Sequence, residues 1–108
     1  MARTKFQTLT EQMFYTLLCL RRECCGADVM EQVRHLTGER VTVGPGTLYS
    51  LLDSFLQAGM IRETRVEGRK RSYIITEEGR RALEEEVRRL RILTADYDRC
   101  MGERGSSE

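Results

Sequence analysis

The segment VGPGTLYSLLDSFLQAGMI, residues 43–61, predicts a helix with two chemically different faces. Pro45 suits the first helical position, where its missing N–H would have no partner, and Gly59 suits the left-handed residue after the last turn. At 100° per residue the large apolar side chains share one face: Leu48, Leu51, Leu52, Phe55 and Leu56. The other face begins with small, uncharged residues, namely Gly46, Thr47 and Ser50. The pattern predicts a helix over 45–58 whose first turns are open to a partner.

The length and composition of the chain are those of one small domain. The chain has 108 residues, of which 40% are hydrophobic and 32% charged, the balance of a folded domain with one modest core. Its formal net charge of +1 argues neither for nor against nucleic acid, so DNA binding would require positive charge that is concentrated locally. The longest apolar stretch is too short for a membrane span, and residues 1–8 do not resemble a secretion leader. We therefore expect a cytoplasmic protein with no membrane partner.

Two further helices are predicted ahead of this segment. Thr8-Leu9-Thr10-Glu11 has the pattern of a capping box, and apolar residues at helical spacing behind it predict a first helix over about 10–23. A second helix fits about 27–37, with four apolar residues on its inward side: Val29, Met30, Val33 and Leu36. Residues 39–43 connect it to the third helix, and Val41 and Val43 alternate there as in a brief extended segment.

A β-hairpin follows the third helix. Residues 61–66 and 71–76 are rich in β-branched and aromatic residues, and Glu67-Gly68-Arg69-Lys70 between them supplies a turn. Residues 62–71 include five basic and only two acidic side chains, a local excess of three positive charges. The basic residues are Arg62, Arg65, Arg69, Lys70 and Arg71.

The last predicted helix runs from about residue 77 to 99. Its apolar residues follow a three-to-four spacing, and those we assign to dimerisation are Leu83, Val87, Leu90, Leu93 and Tyr97. A domain this small offers too little surface to cover so long a stripe, so the spacing favours pairing with a second copy. We expect residues 8–76 to form one domain, residues 77–101 a C-terminal dimerisation helix, and residues 1–7 and 102–108 flexible tails.

This order of elements predicts a mainly α-helical winged helix-turn-helix fold with a small β-hairpin. Such folds place the third helix in the major groove of DNA, and phosphate contacts set its register. Small residues such as Gly46 would let the backbone approach the bases, while the hydroxyls of Thr47 and Ser50 reach bases or phosphates. The Tyr49 hydroxyl is placed for a phosphate, and Arg69 and Lys70 for a phosphate backbone or a minor groove. Arg3 and Lys5 of the N-terminal arm would add positive charge.

Three motifs together resemble the PadR family of bacterial transcription regulators: the opening segment, the hairpin ending RSYIIT (71–76), and TEEGRRAL (76–83). The resemblance covers about residues 8–100 and is closest to the short members with one C-terminal helix. It implies a winged-helix homodimer, usually a repressor, with an effector at the dimer interface. The two-fold symmetry of such a dimer predicts a pseudo-palindromic operator. Its DNA contacts would come from Thr47, Tyr49 and Ser50, and from Arg69, Lys70 and Arg71 of the wing.

Other readings of the sequence remain open. A thiol- or metal-responsive sensor would use Cys24, Cys25 or Cys100, although adjacent cysteines and a single histidine, His35, are a poor chelating set. Cys19 and Cys100 are expected to behave as small apolar residues, and His35 to be exposed. A winged helix can also serve protein–protein contact without DNA. No arrangement of a nucleophile with a base, and no phosphate-cradling glycine loop, supports an enzyme, so we expect no catalytic residues, cofactor or metal.

Overall fold

Four helices and three short strands make up the part of the chain that the computed structural model describes, residues 8–106 (with side-chain surroundings through Gly102). In chain order they are α1 (Glu11–Cys19), β1 (Cys24–Cys25), α2 (Gly26–Leu36), α3 (Pro45–Gln57), β2 (Ile61–Glu67), β3 (Lys70–Ile75) and α4 (Glu77–Ser106). This is the predicted winged helix-turn-helix with a long C-terminal helix. None of the helices in this range is long and apolar enough to cross a membrane.

The predicted third helix is confirmed at both ends. Pro45 occupies its first turn, and Gly59 has a φ of 74° just beyond it. Its apolar face forms the centre of the core, since Leu48, Leu52 and Phe55 are almost fully buried. Side chains of α1 and α2 pack against the same cluster, including Leu17, Leu20, Val29 and Val33. The core therefore fixes which face of α3 is left outside.

The predicted hairpin forms, and a third strand joins it. β2 and β3 pair antiparallel from Ile61 opposite Ile75 to Glu67 opposite Lys70, with a one-residue register shift between Glu63 and Arg65. Gly68 in the two-residue turn has a φ of 63°. β1 adds to the other edge of β3, so the strand order is β1-β3-β2. β1 was not predicted, because two residues are too few to show an alternating pattern.

The first helix is shorter than predicted, and its cap lies two residues later. Thr10, not Thr8, is the N-cap: its hydroxyl accepts a hydrogen bond from the Met13 amide at 3.1 Å. The helix ends at Cys19 instead of continuing to residue 23. The reason lies in the sheet, because the Leu20 carbonyl accepts a hydrogen bond from the Ile75 amide of β3 at 2.8 Å.

The turn after α2 corrects two further expectations. Leu36, predicted to point inward, is 55% exposed. The chain reverses through Gly38 and Glu39, both at positive φ, and the Thr37 hydroxyl accepts a hydrogen bond from the Val41 amide at 3.0 Å. Val41 and the nearby Val43 are buried, but they form no strand. Their alternation reflects burial of two valines in a connector.

The last helix is anchored at its beginning and uncovered further along. The Thr76 hydroxyl caps it by accepting from the Gly79 amide at 3.2 Å. Gly79, Ala82 and Glu86 are buried, and a Glu86 carboxylate oxygen accepts from the Leu9 amide at 3.2 Å. The helix continues to Ser106, beyond the end predicted at residues 99–101. From residue 90 to 102 its side chains are exposed in the single chain.

Candidate nucleic-acid interface

The first turns of α3 carry exposed residues on the face opposite the core. Gly46, Thr47, Tyr49 and Ser50 are all exposed, with Tyr49 at 52%. The N-cap, Gly44, makes no side-chain capping bond. The first amides of a helix have no partner within it, so this end presents N–H groups and the positive end of the helix dipole. Such an end favours a negatively charged partner.

An open groove of about 620 Å³ lies between α2, α3 and the wing, which is the β2–β3 hairpin. It is lined by Cys25, Gly26, Ala27, Asp28, Tyr49, Arg69, Lys70, Arg71 and Tyr73. The structure thus brings four of the predicted DNA-binding residues together, one from α3 and three from the wing. Gly46, Thr47 and Ser50 do not line this groove.

The wing cations differ in how they are paired. Arg69 and Lys70 at the tip are exposed and form no ion pair with any residue between 8 and 102. The Arg71 Nε lies 3.4 Å from a carboxylate oxygen of Glu63 on β2. Burial raises the pKa of the Tyr73 hydroxyl, and Arg71 beside it opposes that shift. Arg71 is therefore partly engaged within the sheet, whereas Arg69 and Lys70 at the tip are available to a partner.

Five residues that line this groove were not predicted as DNA-binding from the sequence: Cys25, Gly26, Ala27, Asp28 and Tyr73. Gly26 is buried and Asp28 is exposed, and both belong to the first turn of α2. Nothing in the local pattern around residues 26–28 indicates that this turn faces the wing. Arg3 and Lys5, which the sequence placed near the DNA, lie outside the described residues.

The predicted dimerisation residues divide into two groups along α4. Leu83 and Val87 are half-buried and line a second groove, of about 490 Å³, with Phe14 and Leu18 of α1. The others lie beyond the domain and are largely exposed: Leu90 at 41%, Leu93 at 51% and Tyr97 at 64%. The apolar stripe is continuous along the helix, but its own domain covers only the beginning.

The cysteines are mostly sequestered. Cys19, Cys24 and Cys25 are buried, whereas Cys100 is exposed in the single chain. Burial raises the pKa of the Cys24 thiol to about 11, which keeps it protonated at neutral pH. Within residues 8–102, no group of three His, Cys, Asp or Glu side chains is arranged to hold a metal ion. His35 is exposed, as expected.

Solved structures share this fold. A transcriptional regulator from Clostridium thermocellum superposes with a TM-score of 0.69 at 20% identity, covering 82% of this chain and 90% of its own. A PadR family transcriptional regulator from Eggerthella lenta gives 0.69 at 20% identity, covering 83% and 80%. RosR from H. salinarum gives 0.64 at 23% identity, covering 87% and 96%.

At the level of sequence, no curated protein matches the chain significantly. The family model of PadR-like transcriptional regulators matches residues 16–85. This match takes in β1, α2, α3, the wing and the start of α4, so it contains every residue that lines the groove. Because it spans well over half of the 108 residues, the chain belongs to the PadR-like family of transcriptional regulators.

Proposed function

We propose that this regulator is a sequence-specific DNA-binding repressor that acts as a homodimer. The observation that carries the proposal is the groove, which an exposed tyrosine at the start of α3 lines together with Arg69 and Lys70 of the wing tip. A basic wing next to the exposed start of the second helix of a helix-turn-helix suits duplex DNA, since that helix enters the major groove and the wing follows the flanking backbone.

The proposed contacts divide into those that read sequence and those that hold phosphate. Thr47 and Ser50 lie on the exposed face of α3, with Gly46 allowing close approach of the backbone, so their hydroxyls can reach base edges. Tyr49, Arg69 and Lys70 surround the groove and would hold the phosphate backbone. Arg71 contributes less, because Glu63 shares its charge.

The homodimer is supported by the exposed half of α4. A helix with large apolar residues exposed at Leu90, Leu93 and Tyr97 has a stripe that its own domain does not bury. Pairing of α4 helices around a two-fold axis would cover the stripe and place two α3 helices about 34 Å apart, one turn of DNA. A pseudo-palindromic operator follows from that symmetry.

Regulation by a small-molecule effector is supported by the second groove. This groove is lined by apolar Phe14, Leu18, Leu83 and Val87 and by charged Glu84, Arg88 and Arg91. Ligand pockets are commonly apolar clefts with a few polar groups, and they often occur at interfaces. A ligand bound beside α4 would change the separation of the two α3 helices and so the affinity for DNA.

Selection from a random-sequence duplex library, followed by fluorescence anisotropy on the selected and a scrambled duplex, tests the proposal. The parent should prefer the selected duplex, and T47A/S50A should lose that preference while keeping salt-dependent binding. Q57A, at the far end of the same α3 face, is the matched control and should behave as the parent. The mass in solution by light scattering should be that of a dimer.

Each alternative predicts a different result. Failure to enrich any duplex, together with negligible binding at low salt, would contradict the proposal and favour a winged helix that binds protein only. A fourfold serine variant of the cysteines should repress and bind DNA as the parent does. If oxidant or metal changed DNA binding by the parent but not by the serine variant, that result would instead support a sensor built on Cys24, Cys25 or Cys100.

A further inference from the structure

Gly26, the first residue of α2, is covered by the ring of Tyr49. A Cβ atom placed on Gly26 would lie 2.8 Å from the Tyr49 hydroxyl oxygen and 3.1 Å from the ring atoms Cε1 and Cζ. Atoms of a real side chain do not approach a Cβ within 3.0 Å. The phenol therefore occupies its present place only because residue 26 has no side chain.

The position of this ring matters for the groove. Tyr49 is 52% exposed, and it lines the groove together with Arg69 and Lys70 from the wing. It is the one member of the lining set that α3 contributes. The ring thus links the helix proposed to read the bases with the wing proposed to hold the backbone.

The geometry points to Gly26 as a positioning residue for DNA binding, which acts by seating the Tyr49 hydroxyl against the start of α2 where it can donate to a phosphate. This inference rests on the proposed DNA-binding function. In this role Gly26 itself does not contact DNA. The role is steric, since any larger residue would force the phenol to shift from this place.

An alanine at position 26 should separate this role from folding. Gly26 does not have a positive φ, so alanine fits its backbone, and alanine favours a helix over glycine. The clash is with the far end of an exposed side chain, which can rotate away without disturbing the core. We expect the thermal midpoint of G26A to stay level or rise while its affinity for DNA falls. A merely structural role would move both in the same direction.

The experiment is a double-mutant cycle on Gly26 and Tyr49, read by anisotropy of a fluorescein-labelled 30-base-pair duplex of mixed sequence in 50 mM NaCl. Phosphate contacts do not depend on sequence, so no operator is needed. Y49F should raise Kd by about tenfold, since a hydrogen bond to a charged group is lost. G26A should do the same, and G26A/Y49F should bind within about twofold of Y49F because the two changes remove one contact. G102A, where a Cβ meets open space, is the control and should bind as the parent.

The other outcomes separate the inference from the function on which it rests. If G26A bound DNA as the parent does while Y49F bound more weakly, the role of Gly26 would be overturned and the DNA-binding function would stand. Multiplying losses in the double variant would also overturn it, because Gly26 would then act by another route. Parent-like binding by both Y49F and R69A/K70A would contradict the DNA-contact assignment itself.

A folding defect in G26A would still leave the inference testable. Y49A removes the ring, so G26A/Y49A should recover the thermal midpoint of Y49A if the clash is the cause. In the unaltered protein, nuclear Overhauser contacts between the Gly26 α-protons and the Tyr49 ring should be present. Their absence would overturn the inference without any variant.

Discussion

Removal of the two cations at the wing tip should flatten the salt dependence of DNA binding. Arg69 and Lys70 are exposed and form no ion pair within the described part of the chain, so each is free to neutralise one phosphate. Each phosphate contact contributes about 0.9 to the slope of log affinity against log salt, so R69A/K70A should lower the slope by about 1.8 for each wing on DNA. Between 50 and 200 mM NaCl, the affinity of the parent should then fall about 12-fold more than that of the variant for each wing.

The assay is anisotropy of the labelled mixed-sequence duplex at five salt concentrations. The control R80A/R99A removes the same formal charge from exposed positions of α4 that do not line the groove, and its slope should match the parent. Net charge alone would flatten both variants equally. An unchanged slope in R69A/K70A, or an equal change in R80A/R99A, would refute the argument that the wing tip holds phosphate.

Three further predictions concern single residues. D28N removes a carboxylate from the groove, so it should raise affinity for DNA a few-fold at low salt. Because it also removes an acid from the first turn of α2, it should lower the free energy of unfolding in urea by roughly 0.3–1 kcal/mol. G79A should destabilise by about 1–3 kcal/mol by the same measurement, because its Cβ would overlap the Met60 carbonyl oxygen and lie 2.6 Å from Ile75 Cγ1. The control G102A, whose Cβ meets open space within α4, should not destabilise, since alanine favours a helix over glycine. Iodoacetamide at pH 8 should alkylate exposed Cys100 long before buried Cys24, as peptide mass spectrometry would show. A stable D28N with weaker binding, a parent-like G79A, or equal labelling of the two thiols would contradict the respective argument.

The fold was predictable because its strongest signals are local. Pro45 and Gly59 mark the ends of α3, and the period of five large apolar residues between them settles which face is buried. Gly68 marks the turn of the hairpin in the same way, through a backbone angle that glycine adopts without strain. Such features act over one or two turns of chain, so the sequence alone contains them.

Element ends proved harder to predict where a distant residue decides them. α1 stops at Cys19 because the Leu20 carbonyl pairs with the Ile75 amide, a contact across more than fifty residues. β1 exists only because β3 offers it an edge, and Cys24 and Cys25 have no strand pattern of their own. At α4, exposure beyond residue 90 does not interrupt the helix, which continues to Ser106.

The sequence by itself determined the winged helix-turn-helix, the exposed small residues at the start of α3 and the local positive charge of the wing. Only the tertiary structure decided how these residues meet. It brings Tyr49, the wing tip and the first turn of α2 to one groove, and it pairs Arg71 with Glu63. It also covers Gly26 with the Tyr49 ring. The physical reason is that these contacts join residues about twenty or more positions apart in the chain, or lie across two strands, and packing of the common core sets their distances.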